Sequence, residues 1–519
     1  MPRKEPMNLL KAITTVGGYT LLSRVFGFIR DILIANFLGA GAAADAFFVA
    51  FRFPNLFRRL FAEGAFAAAF VPIFSKSLEN ESRKEALEFA NQAFTVLAIL
   101  LFFFVALMEA IMPWAMVFLA PGFQGVEGKM EMATVYSRIA FPYLVFISLV
   151  SLQSGVLNSV HRFAAAAAAP VLLNLTFISA MLVFPGDSVH TGLVLSWAVS
   201  VAGVVQFIWL VYHCRREGYP VRFARPRLSP KLRVLGQRIL PVVFGSSLYQ
   251  INLLIGTILA SLVADGAVSY LYYADRVTQL PLGVVGVAVG TALLPTLSRQ
   301  LAAQQNDAAM SSQNRSLEFA LLMTLPAMAA LIAMPEPIIR VLFERGAFDV
   351  QAVSATSQAL VAYSVGLPAY VLIKVLTPGF FAREDTKTPV RIAIFAMLAN
   401  IIMNLIFMRY WGHVGIAYAS SISAWANALA LGIILNQRGE LVLDARLLCR
   451  APRVVLASVC MGGALYYAVD MYSDMLFGGS IAQWGGMVVL LVGGAVLFAI
   501  LAVLFGAAKL NDTRRLLKR

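Results

Sequence analysis

The sequence predicts an all-α polytopic membrane protein: fourteen transmembrane helices, arranged as two six-helix lobes plus two C-terminal helices. Three observations carry this prediction. Of 519 residues, 60% are hydrophobic and 13% charged, against about 25% charged in soluble domains, and the mean hydropathy is +0.78. Apolar segments of spanning length, roughly 20 residues, recur between polar or Gly/Pro breaks. The basic residues outside those segments fall almost entirely on one side of them. An ordinary cytosolic enzyme, a disordered chain and a secreted disulfide scaffold are excluded.

The expected spans run 13–38, 43–74, 90–117, 133–158, 164–184, 191–212, 238–263, 268–297, 317–340, 352–381, 388–409, 412–435, 453–471 and 481–507. The first follows a basic start with no short apolar core and small-residue cleavage site, so it reads as an uncleaved span. The second, fourth, eighth and tenth exceed one bilayer thickness and are expected to tilt, bend or extend into water. With the N-terminus inside, twenty-nine basic residues lie in cytoplasmic segments and four (Lys129, Arg340, Arg345, Arg409) on the opposite side. That asymmetry supports an even helix count with both termini cytoplasmic. It also accounts for the net charge of +14 through topology and contact with anionic membrane lipid, without nucleic acid.

A weak internal repeat divides the chain. The stretch 45–78 resembles 269–301, with Pro72 and Pro295 separated by 223 residues, and APVLLNL (169–175) echoes TPVRIAI (388–394) at a separation of 219. The expected organisation is an N-terminal lobe (1–212), a basic cytoplasmic connection (213–237), a C-terminal lobe (238–435) and a final part (436–519) with helices 13 and 14 and a cytoplasmic tail. Parallel repeats of this kind place a substrate path between halves. Three scattered cysteines and four loop-proximal histidines offer no disulfide framework or metal-ligand spacing, so no metal site is expected.

The informative residues are charges inside spans, where each costs at least about 2.5–3.5 kcal/mol at the bilayer centre. Span 1 holds Arg24, Arg30 and Asp31; span 2 holds Asp45, Arg52, Arg58, Arg59 and Glu63; span 8 holds Asp275 and Arg276; Lys374 lies deep in span 10. They point to a polar cavity lined by spans 1, 2 and 8. Asp45, Arg52 and Arg59 recur every seven residues, near one helical face, and Arg59 and Glu63 stand one turn apart. Pro54, Pro281 and Gly283 are candidate hinges. For Arg30, Arg52 and Arg59, neutralised or snorkelling groups near span ends compete evenly with a substrate role. Arg24, Arg58 and Arg276 are deeper or less obviously paired and favour substrate contact. Asp45 and Asp275 fit either gates or arginine supports, or simply solvated helix ends. Lys374 fits a cavity charge or snorkelling. Arg138 reads as structural, and Asn400 and Asn404 as helix–helix hydrogen bonds. Excess arginine suits an anion, and guanidinium grips phosphate bidentately. Apolar walls around such a site suit a phosphate-bearing lipid.

SRVFGFIRDILIANFLGAG (23–41), ADAFFVAFRFPNLFRRLFAEGAFAAAFVPIF (44–74), YYADRVTQLPLGVVGVAVGTALLP (272–295) and VLTPGFFAREDTKTPV (375–390) resemble the MurJ (MviN) lipid II flippase family. That family lies within the multidrug/oligosaccharidyl-lipid/polysaccharide exporter superfamily. The resemblance implies fourteen helices in two lobes, with helices 13 and 14 forming a groove for a polyprenyl tail. It implies export of lipid II, the undecaprenyl-pyrophosphate-linked disaccharide peptide, across the bacterial inner membrane by alternating access. It carries substrate-binding roles to Arg24, Arg30, Arg58 and Arg276 and a motif acid to Asp45; gating or supporting roles are expected of Asp45, Arg52, Arg59, Glu63, Asp275 and Lys374. No cofactor is expected. Some superfamily members couple to Na⁺ or H⁺ at intramembrane carboxylates, but spans 7 and 11 contain no Asp or Glu, and the membrane potential suffices as a driving force. A monomer is expected. The rivals are an exporter of another polyprenyl-linked saccharide or of drugs, and, remotely, a membrane-embedded polyprenyl-phosphate enzyme. Drug and cation exporters would favour cavity carboxylates. An enzyme needs a nucleophile or base, and no intramembrane His, GxSxG or paired-carboxylate motif is present.

Overall fold

The computed structural model describes residues 9–61, 65–472 and 481–508; side chains are described for these except 9–13, 59–61, 65, 67–68, 240–249, 284–285, 287–292 and 481–482. Glu63 and the Arg59 side chain therefore lie outside the described residues. Seventeen α-helices make up the described fold, with no strand among those residues. They are α1 (Leu9–Leu38), α2 (Ala42–Phe61), α3 (Ala65–Asn80), α4 (Arg83–Leu119), α5 (Lys129–Ala140), α6 (Tyr143–Ser159), α7 (Phe163–Val183), α8 (Ser188–Arg216), α9 (Pro230–Ser261), α10 (Ala267–Ala302), α11 (Asn306–Ala333), α12 (Pro335–Phe343), α13 (Val350–Val365), α14 (Leu367–Phe381), α15 (Lys387–Gln437), α16 (Ala445–Met471) and α17 (Ile481–Leu504). A 3-10 turn (Pro121–Gly125) precedes α5.

Among the described residues, the segments expected from hydropathy are largely helical, and several long ones are subdivided. The fourth splits into α5 and α6 at Phe141–Pro142, and the tenth into α13 and α14 at Gly366. The ninth, read as one span, is interrupted at Met334 before Pro335 opens α12. Proline supplies no amide hydrogen and is accommodated at a helix start. The eighth, in contrast, is one continuous helix through Pro281 and Pro295. The eleventh and twelfth are the two limbs of α15, broken at Gly412, whose φ of +57° and ψ of −134° only glycine adopts readily. Nine helical stretches among the described residues are long and apolar enough to cross a membrane, which makes this a multi-pass membrane protein. Ser82, Asp187, Ser229, Asp349 and Asp444 cap the starts of α4, α8, α9, α13 and α16, each accepting a backbone N–H.

The chain divides into two compact units: Met1–Ser269 with Arg345–Phe348, and Tyr270–Glu344 with Asp349–Arg519. In the first, α1 packs on α7, α7 and α6 on α8, and α2 on α5, while α9, expected in the C-terminal lobe, packs on α2, α3 and α4. A phenylalanine ladder at i, i+4 spacing (Phe66, Phe70, Phe74) stacks at 5.3 and 5.5 Å and meets Phe89 of α4 at 5.4 Å from Phe70. Residues 345–348 seat on the end of α1, where the Ala347 N–H donates to the Asn36 carbonyl at 2.9 Å. Gly39 and Gly346 hold positive φ at that contact, and a Cβ at either would overlap backbone. In the second unit, α11 packs on α16, and α14 and α13 on α15, around a core that includes Leu297, Leu317, Val375, Phe380 and Leu431.

Candidate functional site

Asp45 lies in the first turn of α2, where the helix dipole favours a carboxylate. It is 0% exposed, so it is not a solvated helix end. Lys129 Nζ and the Gly266 N–H each donate to Oδ2 at 2.8 Å. The Ser269 N–H and hydroxyl donate to Oδ1 at 2.8 and 2.5 Å. Asp45 thus caps the start of α10 across the first unit. Its charge partner is a lysine, not an arginine. Lys129, 1% exposed, also donates to Asp265 Oδ1 at 2.5 Å and lies 4.3 Å from the Phe123 ring centroid. Gly128, at φ +73°, turns the chain into α5 and points Lys129 inward. Two carboxylates share one ammonium, leaving formal charge −1, with the Asp265 side chain 47% exposed to take up water.

The arginines of α1 and α2 occupy different environments. Arg30 is buried; Nε and Nη2 donate to Asp31 Oδ1 at 3.1 and 2.7 Å, and Nη1 donates to Asn174 Oδ1 at 3.0 Å. Asn174 in turn donates to the Ser23 carbonyl at 2.9 Å, so Arg30 ties α1 to α7. Arg24, less than two turns earlier, is exposed. On α2, Arg52 donates to the Thr257 hydroxyl of α9, and half-buried Arg58 Nε donates to Asn55 Oδ1 at 3.0 Å. Pro54 lies within α2, which continues through it.

In the second unit, the Arg276 guanidinium stacks 4.7 Å from the Tyr272 ring centroid, and Asp275 accepts from Gln279 one turn on. Exposed Lys374 of α14 lies over Gly286 of α10: a Cβ there would fall 2.7 Å from Nζ. Asn404 Nδ2 donates to Asn400 Oδ1 at 3.0 Å within α15. Arg138 reaches the Glu109 carbonyl at 3.3 Å. The motif at 375–390 is a structural tie. Asp385 accepts the Lys387 and Thr388 N–H groups at 3.1 and 3.0 Å. Its other oxygen pairs with Arg438 at 2.8 Å, joining both ends of α15. Thr388 and Arg438 together hold the Asp385 carboxyl well below the usual carboxylate range. Glu318 of α11 receives Arg315, Arg446 (3.1 Å) and Arg450 (2.5 Å), fixing the start of α16. Among the described residues, no group of three or more His, Cys, Asp or Glu is placed to hold a metal ion.

Lys129, Asp265, Ser269, Thr257 and Asn174 were not singled out from sequence. Lys129 had one signal: it is among the four basic residues on a face otherwise nearly devoid of cations.

This multi-pass helical fold is shared with solved membrane transporters. It matches a solved "inward-facing conformation of a multidrug resistance MATE family transporter of the MOP superfamily" with a TM-score of 0.68 at 17% identity, covering 82% of this chain and 98% of that one. It also matches a solved "Lipid II flippase MurJ, inward closed conformation" with a TM-score of 0.77 at 24% identity, covering 94% and 98%. The family model "Lipid II flippase MurJ" matches residues 34–483. A relative from Rhizobium meliloti (strain 1021), "Probable lipid II flippase MurJ", is 44% identical over 99% of this chain and 97% of its own. The chain belongs to the lipid II flippase MurJ family.

Proposed function

We propose that this protein is a lipid II flippase, moving the polyprenyl-diphosphate-linked peptidoglycan precursor from the inner to the outer leaflet of the bacterial inner membrane. The observation that carries this reading is the near full-length kinship with relatives bearing that name; arginines within the helices support it chemically. Arg24, Arg58 and Arg276 are each expected to contact the diphosphate in the course of its passage. Arg30, spent on Asp31 and Asn174, acts by holding α1 for its neighbours. The tail stays in lipid while the headgroup crosses. No bond is made or broken, so the protein acts as a transporter rather than an enzyme. The fourteen spans, two six-helix lobes and cytoplasmic termini read from the charge asymmetry belong to the same proposal, as does a monomer.

The Asp45–Lys129–Ser269 cluster serves as the outer gate. Opening it strips a buried carboxylate of four donors, so release must be offset by substrate arriving at the arginines. The interior-negative potential assists outward movement of an anion by roughly 2.3 kcal/mol per charge per 100 mV, and coupling to an ion gradient is not required. The test is transbilayer movement of lipid II in proteoliposomes, with and without a potential. Arg24→Ala is expected to slow movement at least about tenfold, the loss of one charge-assisted contact of about 1.5–3 kcal/mol, while the protein still inserts. Wild-type rates in that variant, or movement of cationic dyes in preference to lipid II, would overturn the reading.

A further inference from the structure

The connection from α8 to α9 and the first turn of α9 are basic, with Arg222, Arg225, Arg227, Lys231 and Arg233 against one acid, Glu217. The middle of the connection is an extended strap laid along α4. Arg83 donates to the Gly218 carbonyl, with its guanidinium 4.7 Å from the Tyr219 ring centroid. Further along, the Arg222 N–H donates to Asn91 Oδ1 at 2.7 Å and the Ala224 N–H to Thr95 Oγ1 at 2.9 Å. Asn91 and Thr95 spend their side chains on the strap's backbone, which fixes its height. That height is informative. The apolar exposed face of α4 runs from Ile99 to Phe118. At 1.5 Å per residue, those positions span about 30 Å, the thickness of the hydrocarbon core. Thr95 is one turn outside that band, at headgroup level.

Phe223 sits at that level, its ring 5.1 Å from Phe94. Yet Phe223 is 71% exposed and Leu228 is 75% exposed, a poor arrangement in water and a favourable one at a lipid interface. Arg222, Arg225, Arg227 and Arg233 lie within five residues of one or the other in sequence and are exposed. The one acid in the connection, Glu217, is taken by Arg162 at 2.8 Å, and Lys231 is taken by Glu81. Among the described residues, no carboxylate is ion-paired to Arg222, Arg225, Arg227 or Arg233, and apolar anchors beside such arginines complement a surface that is apolar below and anionic above. We infer that the strap, residues 219–233, is a docking site for acidic phospholipid headgroups, with Phe223 and Leu228 inserted among the upper acyl carbons. The inference rests on the proposed topology that places this end of α4 at a bilayer face. A docked strap would hold α4 and α9 at a fixed depth.

The test uses the full chain in symmetric nanodiscs, so the readout depends neither on sidedness nor on lipid II movement. A failure here would leave the transport reading untouched. In Phe223→Trp, the added indole emission is expected to be quenched by brominated phosphatidylglycerol more than by brominated phosphatidylcholine. Phosphatidylglycerol retained through detergent extraction, counted by native mass spectrometry, should fall at least about tenfold in Arg225→Gln/Arg227→Gln/Arg233→Gln, given about fivefold per basic residue at an anionic surface. The corresponding triple lysine variant should retain it. Equal quenching by the two lipids, or unchanged retention in the glutamine variant, overturns the inference. So does displacement of phosphatidylglycerol by inorganic phosphate, which would mark a free-anion site instead. The Phe223→Trp measurement stands alone if the triple variant is poorly folded.

Discussion

Replacing Lys129 by methionine keeps an unbranched side chain, one heavy atom shorter, and removes its charge. Asp45 is then left buried with three of its four donors, from Gly266 and Ser269. Removing one partner of a buried pair costs about 3–5 kcal/mol. The surviving hydrogen bonds moderate that, so the expected loss is about 2–4 kcal/mol. Asp265 provides the internal contrast. Its side chain is 47% exposed and rehydrates when released, so Asp265→Asn should cost no more than about 1 kcal/mol. The assay is denaturant unfolding in detergent of Lys129→Met, Asp45→Asn and the double variant. Groups in contact should couple by about 1–3 kcal/mol. Single-variant costs that add to within about 0.5 kcal/mol, or an Asp265→Asn cost equal to that of Asp45→Asn, would refute the view that Lys129 holds a buried charge in place.

Two further predictions concern the second unit. Glu318→Gln should lower stability by about 2–4 kcal/mol in the same assay, because it removes the carboxylate charge paired with the buried guanidinium of Arg450. Arg446→Ala, at the exposed edge of that cluster, should cost no more than about 1 kcal/mol; equal costs would deny the hub its centre. The Asp385 carboxyl has a folded pKa depressed below its unfolded value of about 3.9. Its stabilising contribution is therefore complete above that unfolded value and is lost as pH falls further, through the folded one. Wild type should lose stability below about pH 4 more steeply than Asp385→Asn, and parallel pH profiles would count against the tie.

Much of the helical framework was legible because it is written in local composition. The two limbs of α15 were separable at the polar, glycine-containing break that Gly412 occupies, and the length of the fourth and tenth segments anticipated their division. The split at Met334 was missed because the apolar residues on either side of Pro335-Glu336-Pro337 were read as one span. The site was legible only by residue type. Arg24 and Arg276 announce themselves as charges in apolar sequence, whereas the partners of Asp45 are 84 and 221–224 residues away, and no periodicity relates positions so far apart. The pairing of Arg30 with its sequence neighbour Asp31 was foreseeable. The third member, Asn174 on α7, was not, because it comes from the packing of α1 against α7.

The separation of those partners bears on how the molecule is assembled during synthesis. Arg30 and Asp31 are adjacent, so Arg30 can be neutralised while α1 enters the bilayer. Asp45 must wait for Lys129, then for Gly266 and Ser269, which emerge 221 and 224 residues after it. At 5–20 residues per second, that wait is roughly 10–45 s. Until then the carboxyl group at the start of α2 lacks the Gly266 and Ser269 donors, which only completion of the α9–α10 turn supplies. The closure is therefore a late event in biogenesis. Truncated nascent chains ending before residue 265 should still present that carboxylate to aqueous reagents.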